Sequence, residues 1–175
     1  MIDPKYKDLW EEDYPKMLLF GLGFVGVKEI VGKQNNPIIM GWAATLKVKA
    51  IFTSEEVPWC GLFQAYLCHL AGYEYPETFY RALSWKGWGN EVQTPMLGDL
   101  LAFERPGGGH IAQYVGEDAD AYHVLGGNQS NSVGFTRIEK SRLRYAGRAP
   151  WKIGQPPNIR RIHRAPSGPI SADEK

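Results

Sequence analysis

The spacing of apolar positions along the chain changes partway through. Between Val57 and Gly72, Trp59, Phe63, Tyr66, Leu67 and Leu70 recur at helical intervals, which predicts a helix with one apolar stripe. Pro58 suits its start, having a fixed φ and no N–H to lose, and Gly72 suits the position just past its end. Upstream, residues 6–20 mix charged and apolar side chains in a helical pattern that Pro15 must break or kink. A glycine-rich stretch, 21–32, follows, and Asn36-Pro37 then opens a second helix carrying Ile38, Ile39, Trp42, Ala43 and Leu46. Residues 73–98 read as a long connection with one short helix near 81–89. From Asp99 the pattern becomes strand-like, over 99–104, 110–115, 121–125 running on toward Asn128, 132–138 and 143–146. The expected fold class is α+β, with N-terminal helices packed on a small antiparallel sheet. From Gly154 neither period survives and proline and arginine dominate. The expected organisation is one domain over 1–152 and a basic, proline-rich tail over 153–175.

Composition narrows the function classes. At 175 residues the chain can bury a proper core. Lys and Arg number 20 against 19 Asp and Glu, a net charge of +1, so no global pull toward nucleic acid follows and no nucleic-acid partner is expected. The tail cluster Arg160, Arg161, His163 and Arg164 reads either as a weak contact for an anionic surface or as a solvated segment pinned by a neighbour. Cys60 and Cys68 lie about 12 Å apart along one helix, too far for a disulfide. No Cys/His ligand set is visible, so neither a metal nor a cofactor is expected. The apolar run Leu18 to Val27 is short, interrupted by Gly21, Gly23 and Gly26, and preceded by acidic residues, unlike a secretory signal. Synthesis in the cytoplasm is expected, with action elsewhere only after release or delivery.

Candidate chemistry centres on Cys60. In the first turn of its helix it meets unpaired backbone N–H groups and the positive end of the helix dipole, both of which favour thiolate. The competing reading is a small buried hydrophobe. If the strands at 110–115 and 121–128 form a hairpin turning near Ala119, His110 stands opposite Asn128, and His123 opposite Val115. An imidazole beside an amide oxygen is a base held in one orientation, although a one-residue slip destroys the pairing. His69 lies too far along the cysteine helix to reach Cys60. Trp85 and Trp88, set among glycines, read either as an aromatic groove wall or as caps on the core.

Five motifs in order carry a resemblance: Pro-Trp-Cys at 58–60, Ala-Leu-Ser-Trp-Lys-Gly-Trp-Gly at 82–89, Pro-Met-Leu-Gly-Asp-Leu-Leu-Ala-Phe at 95–103, Gly-His-Ile-Ala at 109–112 and Val-Leu-Gly-Gly-Asn-Gln at 124–129. Over about Lys28 to Pro150 the chain resembles the CHAP and NlpC/P60 cysteine peptidases, and within them a phage and bacterial subgroup of peptidoglycan hydrolases. The resemblance implies a papain-like α+β fold and an endolysin-like enzyme acting on bacterial peptidoglycan, as endopeptidase or amidase, through a thioester. It makes Cys60 the nucleophile, His110 the base and Asn128 the orienting residue. Many relatives place an acid two positions before that asparagine, where this chain has Gly126, so a carboxylate from Glu29 or Glu56 is a candidate helper. Trp59, Trp85 and Trp88 are expected to line the substrate groove, and Gln64 is a weak candidate for a second oxyanion donor. Two other readings stand beside the enzyme: a peptidoglycan-binding module that does not cut, and a papain-fold effector acting on protein.

Overall fold

Proline, asparagine and glycine set the helix boundaries. In the computed structural model, which describes residues 3–13, 15–32, 34–166 and 168–174, the helix expected over 6–20 is two elements. A 3₁₀ helix spans Pro4–Glu11, and α1, Lys16–Leu22, begins directly after Pro15. Met1 and Lys175, the outer ends of the expected domain and tail, lie outside the described residues. Helix α2 is Pro37–Thr45, capped by Asn36, whose side chain accepts the Ile38 N–H at 2.8 Å. Helix α3 is Cys60–Ala71, so it starts two residues after Pro58, with Trp59 as its cap. It ends at Gly72, whose φ of 76° permits the left-handed closing turn.

The fold is α+β. Six strands form one antiparallel sheet: β1 Asn90–Glu91, β2 Leu100–Arg105, β3 Gly108–Glu117, β4 Ala121–Gln129, β5 Ser132–Glu139 and β6 Leu143–Arg148. Their spatial order is β1-β6-β2-β3-β4-β5. The short β1 arises inside the stretch read as a connection. Helix α3 packs on β3 and β4, where Phe63 and Leu67 join Ile111, Val115 and Leu125 in the main core. Each such side chain contributes about 1.5–3 kcal/mol by leaving water. The helix sits so close to the neighbouring chain that a Cβ at Gly61 would lie 2.1 Å from the Phe79 carbonyl oxygen. The opposite face of the sheet carries a second cluster, including Leu101, Phe103, Ala112, Tyr114 and Val124.

The β3–β4 hairpin has the expected register over Gln113↔Leu125 and Tyr114↔Val124. Beyond Tyr114 an irregularity shifts the ladder, so His123 faces Gly116 rather than Val115. A second irregularity falls between Gly126, opposite Gly134, and Gln129, opposite Ser132. It lies in the segment expected to orient the His110 imidazole.

The tail cluster, which reads either as a contact for an anionic surface or as a solvated segment pinned by a neighbour, is held by the domain itself. The Leu97 N–H donates to the Arg160 carbonyl, the Glu117 N–H to that of Ile162, and the Ser171 N–H to that of Arg137. Arg160, Arg161 and Arg164 are ion-paired to Glu12, Glu117 and Asp8. The basic cluster is therefore engaged within the chain rather than presented as a free cationic patch. No helix among the described residues is long and apolar enough to cross a membrane.

Candidate active site

Cys60 is the first residue of α3, and its sulfur sits where the helix leaves its early N–H groups unpaired. The backbone N–H groups of Cys60 and Gly61 are directed at it, as is that of Ile111 on β3. All three favour thiolate. The Ile111 amide is the peptide unit that follows His110, so the sulfur lies at the strand backbone one residue from the candidate base. Strand β3 alternates here: Ile111 belongs to the core under the helices, whereas Ala112 belongs to the opposite cluster, which also holds Phe103, the partner of His110 across β2–β3. Among the described residues no hydrogen bond joins thiol and imidazole.

His110 is held by Gln129, with Nε2 2.9 Å from Oε1. Asn128, the expected partner, does not fill this role. The reason is the irregularity in β4. Asn128 adopts a φ of 56°, a left-handed conformation that asparagine tolerates better than most residues. The extra residue turns the next side chain toward the imidazole. Gly126 makes the room, because a Cβ there would lie 2.6 Å from Gln129 Oε1. The amide orientation is fixed independently, since Gln129 Nε2 donates to the Gly134 carbonyl at 2.6 Å. Oε1 must then accept from the imidazole, so Nε2 carries the proton and Nδ1 the lone pair. Among the described residues nothing is hydrogen-bonded to Nδ1.

Burial sets the resting charge state. It pushes the Cys60 thiol up, against the three N–H groups and the Arg105 guanidinium, which pull it down. It pushes His110 down to about 4, opposed by the Glu174 carboxylate and by Gln129. Both groups are therefore neutral at pH 7: a thiol, and an imidazole with a free lone pair. Glu174 is fully buried and receives two hydrogen bonds of 2.8 Å from Arg142, while its main-chain carbonyl accepts the N–H of Ser130, next to Gln129. The carboxylate near the base thus comes from the C-terminal segment. Glu29 instead accepts the Trp59 indole N–H at 2.7 Å, and Glu56 lines a separate groove with it. Glu174 had no signal in the sequence, since it stands alone in an aperiodic segment.

A cleft of about 340 Å³ opens over the sulfur, lined by Pro58, Cys60, Tyr80, Arg81, Arg105 and the Gly107–Gly109 turn. The tryptophans expected there are placed otherwise. Trp59 and Trp85 are fully buried, and Trp85 donates its indole N–H to the Phe79 carbonyl. Trp88 is nearly buried, bonded to the Glu74 carbonyl, and borders a different groove with Tyr73 and Trp151. Gln64, one turn into α3, is wholly buried and does not line this cleft, its Oε1 accepting from Gln113 Nε2 at 3.1 Å. These polar and aromatic residues lie on the inward side of their elements, which the motif spelling does not reveal. Cys68 is buried, its thiol directed at the Met17 sulfur at 3.8 Å. Asp99, in the Gly-Asp motif, serves the fold by accepting the Met96 N–H and pairing with Arg148 on β6. Among the described residues no cluster of His, Cys, Asp and Glu is arranged to hold a metal. Comparisons with family models, with curated proteins and with solved structures find no match to this chain.

Proposed function

We propose that the protein is a cysteine hydrolase of the papain-like type, with Cys60 as nucleophile, His110 as base and Gln129 as the residue that orients the base. The observation that carries this reading is the imidazole itself. Its Nε2 is committed to an amide oxygen whose direction is independently fixed, and its basic Nδ1 is left open one residue from the peptide N–H that faces the sulfur. Nδ1 takes the thiol proton, and the sulfur attacks an amide carbonyl to form a carbon–sulfur bond. The Cys60 and Gly61 N–H groups, which face the sulfur, are the donors nearest the developing oxyanion. The imidazolium gives its proton to the leaving amine, and water then cleaves the thioester with Nδ1 as base. The substrate class, an amide bond of bacterial peptidoglycan, rests on the five-motif resemblance, and such a role requires the protein to reach the cell wall.

The test is digestion of purified peptidoglycan with mass spectrometry of the released fragments. Cys60→Ala is expected to remain folded and release nothing, while Cys68→Ala releases the wild-type fragments. Lysis by Cys60→Ala at the wild-type rate removes the reading. New amine ends within the stem peptide would identify an endopeptidase, and freed whole stem peptides an amidase.

A further inference from the structure

The cleft over Cys60 contains a positive charge that the hydrolytic steps leave without a task. Arg105 ends β2 and lines the cleft beside the sulfur and the Gly107–Gly109 turn. Its side chain is only 8% exposed and is ion-paired through Nη1 to Asp173, whose own side chain is 64% exposed. Its Nε is buried, with no hydrogen-bond partner among the described residues. A guanidinium presents five donors in a planar fork that matches a carboxylate. A buried donor left unpaired is destabilising, so this arginine is incompletely satisfied where it stands. The same guanidinium favours the Cys60 thiolate and disfavours the His110 imidazolium, which places its charge close to both reacting groups. The partner Asp173 is largely exposed, so a substrate anion competes with it from the solvent side.

We propose that Arg105 is the anion anchor of this cleft. It binds a carboxylate of the substrate beside the amide to be cut, and Asp173 occupies that carboxylate's place in the unliganded chain. The identity of the anion as a peptide carboxylate rests on the hydrolase reading; the anion site does not. The preferred substrates are then peptides bearing a free carboxylate close to the scissile bond, and amidation of that carboxylate weakens them.

Iodoacetate and iodoacetamide alkylate a thiol alike but differ in charge, and mass spectrometry of the intact protein followed by peptide mapping reads the rate of each at Cys60. Arg105→Gln is expected to lower the iodoacetate rate about tenfold relative to iodoacetamide, one close charge interaction in a partly shielded site. Arg105→Lys keeps most of the preference, and Asp173→Asn raises it. The neutral reagent controls for any general loosening. An unchanged ratio in Arg105→Gln overturns the proposal, and so does failure of both reagents to reach Cys60, since no anion then enters the cleft. A shifted ratio in a protein whose Cys60→Ala variant still digests peptidoglycan keeps the anion site and removes the hydrolase. An unshifted ratio with Cys60-dependent digestion does the reverse.

Discussion

Two buried histidines stand on neighbouring strands of one hairpin, and they differ in how many of their nitrogens are used. His123 on β4 is fully engaged: Nε2 lies 2.8 Å from Asp118 Oδ2 and Nδ1 lies 2.9 Å from the Tyr6 hydroxyl. Asp118 is itself clamped by Arg137 and by the N–H groups of Asp120 and Ala121, which hold its carboxyl well below the usual range against the cost of burial. His110 on β3 has one neutral partner and one open nitrogen. A network satisfied at every atom fixes the fold and has no capacity left for a proton in transit. An imidazole held on one side and open on the other is oriented and still able to react. The largest expected effect follows from this contrast. On purified peptidoglycan, His110→Ala should lower the turnover rate about 10³-fold or more. The fraction of His123→Ala that remains folded should work at close to the wild-type rate. Equal loss in both folded variants would erase the distinction.

Stability should reverse the ranking. Removing His123 takes one hydrogen bond from Asp118, which keeps Arg137, and leaves the Tyr6 hydroxyl without its imidazole partner beside a buried cavity, which should cost about 2–4 kcal/mol in urea unfolding. His110→Ala leaves only the Gln129 oxygen unpaired, for about 1–2 kcal/mol. A His123 variant as stable as wild type would mean that its network contributes little to folding.

The pH dependence of stability sharpens the contrast. Burial holds the His110 pKa at about 4 in the folded chain, against an ordinary value of 6.5. Above pH 6.5 the imidazole is neutral in both states and contributes no dependence. Between pH 6.5 and 4 the unfolded chain binds a proton that the folded chain refuses, so stability falls as pH falls. The full loss is about 3 kcal/mol. Burial lowers the His123 pKa as well, so wild type carries both contributions, and the Asp118 carboxylate opposes the second. Urea melts of His110→Gln across that window should be flatter than those of wild type by the His110 share. An unchanged slope would show that the imidazole accepts its proton in place.

Much of this arrangement was legible in the chain before any coordinates. The stripe from Trp59 to Leu70, with Gly72 behind it, located α3 to within two residues because helix period and left-handed glycine are local signals. The turn near Ala119 fixed the hairpin register at Gln113 and Tyr114 for the same reason. What stayed hidden was non-local. A period of two assumes an unbroken ladder, so the inserted residue between Gly126 and Gln129 exchanges Asn128 for its neighbour without any change in composition. The C-terminal segment is held by ion pairs with Asp8, Glu12 and Glu117 and by backbone hydrogen bonds to Leu97, Glu117 and Arg137, all distant in sequence, which a reading of proline and arginine content cannot see. Trp85 and Trp88 read either as a groove wall or as caps on the core, and Trp59 as a groove residue; all three are buried, which depends on the packing of distant segments rather than on the residues beside them.

The smallest predicted effect tests the exchange of Asn128 for Gln129. If Gln129 fixes the proton on Nε2, Gln129→Ala leaves the ring free to turn and to adopt the other tautomer. Its kcat should fall about tenfold, the equivalent of one oriented hydrogen bond, with a smaller change in KM. Asn128→Gly should do almost nothing, because glycine reaches a φ of 56° without strain and no described side chain depends on the Asn128 amide. Asn128→Val is the informative third variant. A β-branched residue resists that φ, so the chain must straighten or strain, and straightening returns Gln129 to the opposite face. Activity should then fall as far as in Gln129→Ala although the glutamine is still present. A full-rate Asn128→Val variant would show that the bend in β4 is not what delivers the amide to His110.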